Sequence, residues 1–281
     1  AYELNQVALA RLGPGDAQSR RPYPTRGSIS APYTPTGNSS YHSLQARFER
    51  RFARSLALQG AYTWSKSIDD ASGFAASRTN GTTSVQDNYN LRAERSLSGF
   101  DKTHNLSYAI VYDLPVGKNR RFLDRGGVLD AALGGWNASV LSTVLSGAPL
   151  ILGTFTNLTG SLGGGSRPNR LRNGQLTGED RGLTRWFDAS AYASPAPFAF
   201  GNTSRTEPSL REPGQFSFDL LLAKEFRVTE TKRFEVRAEF FNAVNHFNPG
   251  GPNTSIGHPA VATITGGNAG RTIQLSAKFH Y

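Results

Sequence analysis

Residues 271–281 read Arg271-Thr272-Ile273-Gln274-Leu275-Ser276-Ala277-Lys278-Phe279-His280-Tyr281. Ile273, Leu275, Ala277, Phe279 and Tyr281 fall on one side of the alternation, and Thr272, Gln274, Ser276, Lys278 and His280 on the other. A period of two predicts a strand with one apolar and one polar face. The stretch ends on two aromatic rings of the same face. A frayed terminus in water gains little from exposed rings, whereas rings at a membrane interface sit where they are most stable. The other reading is an amphipathic edge strand of a soluble sandwich.

The same period recurs upstream. A strand is expected over 41–52, where Leu44, Ala46 and Phe48 alternate with Gln45, Arg47, Glu49 and Arg51. A tight connection at 53–55 leads to a second strand over about 56–67, with Leu56, Leu58, Gly60, Tyr62 and Trp64 on one face. Leu106, Tyr108, Ile110, Tyr112 and Leu114 mark a third over 104–114. The fourth, 136–145, alternates less cleanly. Phe216, Phe218, Leu220 and Leu222 oppose Ser217, Asp219, Leu221 and Ala223 in a fifth, 215–226. A sixth, 233–245, sets Phe234, Val236, Ala238 and Phe240 against Glu235, Arg237 and Glu239. Residues 271–281 make the seventh. Residues 1–40 carry no sustained period, and the Pro-rich 20–24 and 31–35 read as irregular loop.

The connections alternate in length. Short turns at 53–55 and 228–232 contrast with polar loops at 68–99, 146–214 and 246–269. Long loops at one end and short turns at the other are typical of outer-membrane barrels; a sandwich has short connections at both ends. The basic connection 115–134 (Lys118, Arg120, Arg121, Arg125) is the exception on the short side, and it leaves room for a helical turn at Val128–Leu133. The aromatics follow the same plan: Phe48, Phe52, Phe226 and Phe234 flank the short turns, and Tyr62 and Trp64 sit toward the long loops, as two interfacial girdles. Arg47, Glu49, Asp219, Glu235, Arg237 and Glu239 lie on the opposite face, as lumen-lining residues in a barrel or as the solvent face of a sandwich.

Composition narrows the classes. There is no cysteine, hence no disulfide framework and no thiolate metal site. No apolar run reaches the length of a spanning helix, which leaves barrel strands untouched. Gly 30 and Pro 15 call for many turns. A net charge of +10 asks for an anionic neighbour, met by lipid headgroups and lipopolysaccharide as well as by nucleic acid. Nucleic acid is disfavoured, because Arg and Lys are spread over turns and loops while Phe and Leu take the apolar face. The chain has no signal peptide and no Met, so it is expected to be a C-terminal piece of something longer, or a processed product.

No reactive constellation stands out. The five histidines (His42, His104, His246, His258, His280) lack metal-site spacing. Asp69 and Asp70 open a loop and could take calcium, but a solvated turn is the simpler reading. Gly163-Gly164-Gly165 lacks the strand-to-helix setting of a phosphate loop, and no nucleophile elbow or acid/base pair is present. The expectation is no enzyme, no cofactor and no metal.

In sequence order, Tyr41-His42-Ser43-Leu44-Gln45, Arg50-Arg51-Phe52, Tyr62-Thr63-Trp64-Ser65-Lys66-Ser67-Ile68-Asp69, Phe100-Asp101-Lys102-Thr103-His104, Leu114-Pro115-Val116-Gly117, Gly134-Gly135-Trp136, Ser146-Gly147-Ala148-Pro149, Arg237-Ala238-Glu239-Phe240-Phe241-Asn242 and Asn245-His246 resemble the TonB-dependent receptors of the Oar-like, acidobacterial type. Gln274, Ser276, Phe279 and Tyr281 resemble the C-terminal signal by which outer-membrane barrels are recognised and inserted. The resemblance implies an all-β fold, in which 41–281 form the C-terminal part of an antiparallel transmembrane barrel and 1–40 an extracellular loop region. Seven strands are incomplete relative to the family's barrel of about 22 strands around a plugged lumen. It also implies outer-membrane lipid and lipopolysaccharide, the barrel-assembly machinery, the remaining strands and plug of a parent chain, and the TonB complex as partners. The implied function is uptake of a ligand across the outer membrane. The alternative is a non-transporting surface or adhesion protein that binds partners through its long loops.

The face assignment is testable. Ala238→Arg on the apolar face should cost about 2–4 kcal/mol near the membrane midplane, and Glu235→Arg on the polar face far less, in urea unfolding of the vesicle-inserted full-length protein. Equal costs would reject the topology.

Overall fold

The computed structural model describes residues 2–31, 37–53, 55–72, 85–227, 229 and 231–281. Seven long strands form one sheet: β1 (Ser39–Ala53), β2 (Leu56–Asp69), β3 (His104–Asp113), β4 (Trp136–Leu145), β5 (Gln215–Arg227), β6 (Arg233–Phe241) and β7 (Thr272–His280). Each pairs antiparallel with the next in sequence, and the two-residue strand Ser96–Leu97 adds to the end of β2. The sheet is an open, up-and-down meander, an incomplete barrel whose outer strands each keep one unpaired edge. Parts of four segments read from the sequence lie outside the described residues: 32–36, Arg54 of the first turn, 73–84, and Val228 and Glu230 of the second turn. So does the Phe52 side chain.

Register keeps one face apolar across all seven strands. Leu44 opposes Trp64, Tyr62 opposes Leu106, and Leu106 opposes Val144, which opposes Phe216. Leu220 then opposes Phe240, and Phe240 opposes Ile273. A one-residue slip would exchange the faces of a strand, and none occurs in the body of the sheet. The single irregularity, between Arg50 and Ala53, lies at the first turn. β4 fits this frame despite its weak alternation: Val140 and Val144 join the apolar face, while Leu141 and Leu145 pair with Asp219 and Gln215 on the other.

The sixth strand stops earlier than its sequence suggests, at Phe241 instead of 245. Asn242 and Asn245 both have φ near 53°, a conformation that Asn tolerates and a strand does not. The Asn242 side chain then closes the bend, donating to His246 O (2.9 Å) and accepting from His246 N (2.8 Å).

Connection 115–134 does hold a helix, α1 (Val128–Leu133). Gly117 (φ 114°) and Gly134 let it pack on the chain leaving β3; a Cβ on Gly134 would stand 2.9 Å from Gly117 Cα. Asp130 accepts from Lys118 N (2.7 Å) inside this fold-back. Lys224 of β5 occupies an apolar-face position, in register with Trp136, yet it is buried. Its ammonium donates to the carbonyls of Asp130 (3.2 Å), Ala131 (2.6 Å) and Gly134 (2.5 Å), and so caps the end of α1. Gly134→Ala should therefore cost about 1–3 kcal/mol by overpacking, whereas alanine at Gly126, which has open space around it, should cost less. Urea unfolding of the two variants in vesicles separates them.

Candidate functional site

The long loops do not hang free of the sheet. Leu150, Leu152, Phe187, Ala191, Tyr192, Leu210, Ile256 and Ala262 form a buried apolar cluster of their own. Short ladders stitch it: Glu207–Arg211 pairs antiparallel with Pro149–Leu150, Asn169–Arg170 with Tyr192–Ala193, and Ser255–Ile256 runs parallel to Gly153–Thr154. The 146–214 segment, which reads as irregular from its sequence, is thus a packed cap. Gly147 of the Ser146-Gly147-Ala148-Pro149 run is required where the chain leaves β4, since a Cβ there would lie 2.6 Å from the carbonyl carbon of Glu212.

Buried ion pairs fasten the cap to the sheet. Arg205 pairs with Asp69 at the end of β2, and its remaining donors go to Ser72 Oγ (2.6 Å), Asp69 O (3.0 Å) and Glu94 O (3.0 Å). Arg167 pairs with Glu94. Arg211 bonds the Asp101 carboxylate at 2.8 Å, and Asp101 also accepts from Ser67 N at 2.7 Å. Ser65, Ser67 and Asp69 share the polar face of β2, so the cap leans over that face. Residues 2–31 join it: Asn5 donates to the carbonyls of Tyr23, Arg26 and Gly27, and Gln6 bonds Gln86 O at 2.7 Å.

One pocket of about 290 Å³ opens in the cap. Its floor is Trp186, with the Arg181 guanidinium stacked 3.5 Å from the ring centroid. Both side chains donate to Arg211 O (2.6 Å from Trp186, 3.3 Å from Arg181), and burial pushes the Arg181 pKa down. In the buried cluster of the cap, burial first and then the Glu207 charge push the Tyr192 phenol up to about 12. An aromatic plate beside a partly desolvated cation suits a polar, planar or anionic group.

A family model described as an outer membrane beta barrel domain matches residues 1–274. The chain belongs to that outer-membrane β-barrel family. Its place is the bacterial outer membrane. No curated protein and no solved structure matches it.

The barrel domain places the residues singled out from the sequence as follows. Arg47 pairs with Glu49 (3.0 Å) on the polar face of β1. Asp219 accepts from Asn242 N (2.8 Å), and Glu235 bridges Arg237 (2.5 Å) and His280 (3.6 Å). Glu239 opposes Gln274, and Arg237 opposes Ser276, so these four share that face. Phe279 opposes Phe234 on the apolar face, and Tyr281 lies beyond the strand, almost fully exposed. Phe226 and Phe234 pack at 6.4 Å by the second turn; Phe48 and Trp64 are exposed; Tyr62 bonds His104 Nδ1 at 2.8 Å. Asp69 is buried and committed to Arg205, unlike the solvated turn read from the sequence, whereas Asp70 accepts from Asn38 N (2.8 Å) in a partly exposed bend. Arg205, Glu94, Arg167 and Lys224 are absent from the sequence reading. Only Lys224 left a signal there, a cation at an apolar-face position.

Arg205→Ala leaves Asp69 buried and uncompensated and should cost about 3–5 kcal/mol. Arg172→Ala, whose partner Asp188 sits at the surface, should cost under about 1 kcal/mol. Proteolysis rates within the cap of the inserted protein measure both.

Proposed function

We propose that this chain is the C-terminal barrel portion of a TonB-dependent outer-membrane receptor of the Oar-like, acidobacterial type, which takes up a ligand across the outer membrane. In this reading the polar face lines the lumen and the packed cap forms part of the external ligand-binding surface. The observation that carries it is the order of the resembling runs along 41–246, and a cap of long loops locked by buried ion pairs over the polar face of the sheet fits it. The remaining strands and a plug would come from the rest of a parent chain. Gln274, Ser276, Phe279 and Tyr281 would be read by the barrel-assembly machinery, and lipid and lipopolysaccharide would surround the apolar face. The chain's own residues supply binding and passage, and no catalytic step is assigned to them.

The packed cap equally suits a surface or adhesion protein that binds partners through its loops. The two readings part in the periplasm. The full-length gene product, purified from outer membranes, should carry a plug domain and bind the purified C-terminal domain of TonB, and deletion of its N-terminal coupling segment should abolish that binding. A full-length product with no plug and no TonB binding would leave the adhesion reading.

A further inference from the structure

At the short-turn end, the 115–134 connection folds back on itself into one small body. Phe122 N donates to Pro115 O, and Gly117 N to Phe122 O, both at 2.9 Å. Asp130 and Lys224 hold α1 as described, and Trp136 donates its indole N–H to Ala132 O (3.1 Å). Lys224 and Trp136 both stand at apolar-face positions. The body therefore sits on the rim of that face, with Arg120 reaching round to Asp113 of the polar face (4.0 Å).

Its outward side is mixed in a particular way. Val128 is 86% exposed, Leu129 58% and Leu133 49%, on a helix whose one acid, Asp130, points inward to Lys118 N. Lys118, Arg121 and Arg125 are exposed beside them. Asp124, the other acid, accepts from Asn119 N (2.7 Å), and Arg120 turns away to Ser55 Oγ (3.1 Å) in the neighbouring turn. Exposed aliphatic side chains flanked by unbalanced cations match an interfacial helix on an anionic bilayer surface.

We infer that connection 115–134 is a foot that binds anionic phospholipid of the periplasmic leaflet. Val128, Leu129 and Leu133 enter the acyl boundary, and Lys118, Arg121 and Arg125 meet headgroup phosphates. This rests on the apolar face being the lipid face, and not on the transport reading. The short-turn end of a barrel is its periplasmic end, where the leaflet is phospholipid, so the occupant is a phospholipid and not lipopolysaccharide.

The chain contains no cysteine, so single labels are clean. In the full-length protein, on a background free of other cysteines, Leu129→Cys and Leu275→Cys each carry an environment-sensitive fluorophore. The protein is reconstituted in vesicles of phosphatidylcholine and phosphatidylglycerol, with one or the other lipid brominated. The label at 129 should be quenched about twofold or more by brominated phosphatidylglycerol relative to brominated phosphatidylcholine. Arg121→Gln with Arg125→Gln should bring that ratio to about one while the label at 275 stays quenched by both lipids, which also reports an intact fold. Quenching at 275 but not at 129, or equal quenching at 129 by both lipids that the double variant leaves unchanged, overturns the foot while leaving the barrel face in place. Quenching at neither site removes the lipid-face assignment and the foot with it.

Discussion

In a bilayer, a strand must pass every backbone N–H and C=O to a neighbour, because no water is there to take them. The meander meets this demand for its five inner strands by pairing each strand with the next one in sequence, while β1 and β7 each keep one open edge for further strands. Its second requirement is register. With side chains at period two, all seven strands can share one apolar face only if no strand slips by a single residue. The aligned series from Leu44 through Trp64, and from Leu106 through Val144, Phe216 and beyond, is the result. Everything else follows from the two faces so made: an apolar one for lipid and a polar one for whatever the cap covers.

The cap is held by different physics. Its small apolar cluster gives cohesion, but its attachment to the sheet runs through charges. Desolvating Arg205, Asp69, Arg167 and Glu94 is costly, and their mutual attraction offsets that only because nearly every donor of Arg205 finds an acceptor. Such an arrangement is a poor source of net stability and a strong source of specificity: misplaced loops would strand a buried charge. A loop layer that must keep one shape over the polar face of the sheet gains from that.

At the opposite end a third arrangement appears. Lys224 lies where the alternation asks for an apolar residue, and α1 covers it there. The Lys224 ammonium lies 4.9 Å from the Phe226 ring centroid and 5.9 Å from that of Trp136, and meets the helix carbonyls. One out-of-pattern residue thus docks a twenty-residue-scale connection (on the order of a single interfacial helix and its turns) to the rim of the barrel.

The strands, their faces and the alternation of long and short connections were legible in the residues, because a two-residue period is a local property and registers through nearest neighbours. The helix at Val128–Leu133 was legible for the same reason. The resemblance drew on runs such as Phe100-Asp101-Lys102-Thr103-His104, in which Asp101 ties Ser67 N to Arg211. The cap was not legible. Arg205 meets Asp69 across a separation of 136 residues, and Arg167 meets Glu94 across 73. Nothing in the composition around either arginine distinguishes it from the exposed Arg172 or Arg185. The sequence alone determined which residues of each strand share the apolar face and which the polar one, since a period of two leaves one assignment within a strand. Which charges are buried, where the loops close, and where Lys224 points were decided only by tertiary structure, because those energies arise between segments far apart in the chain.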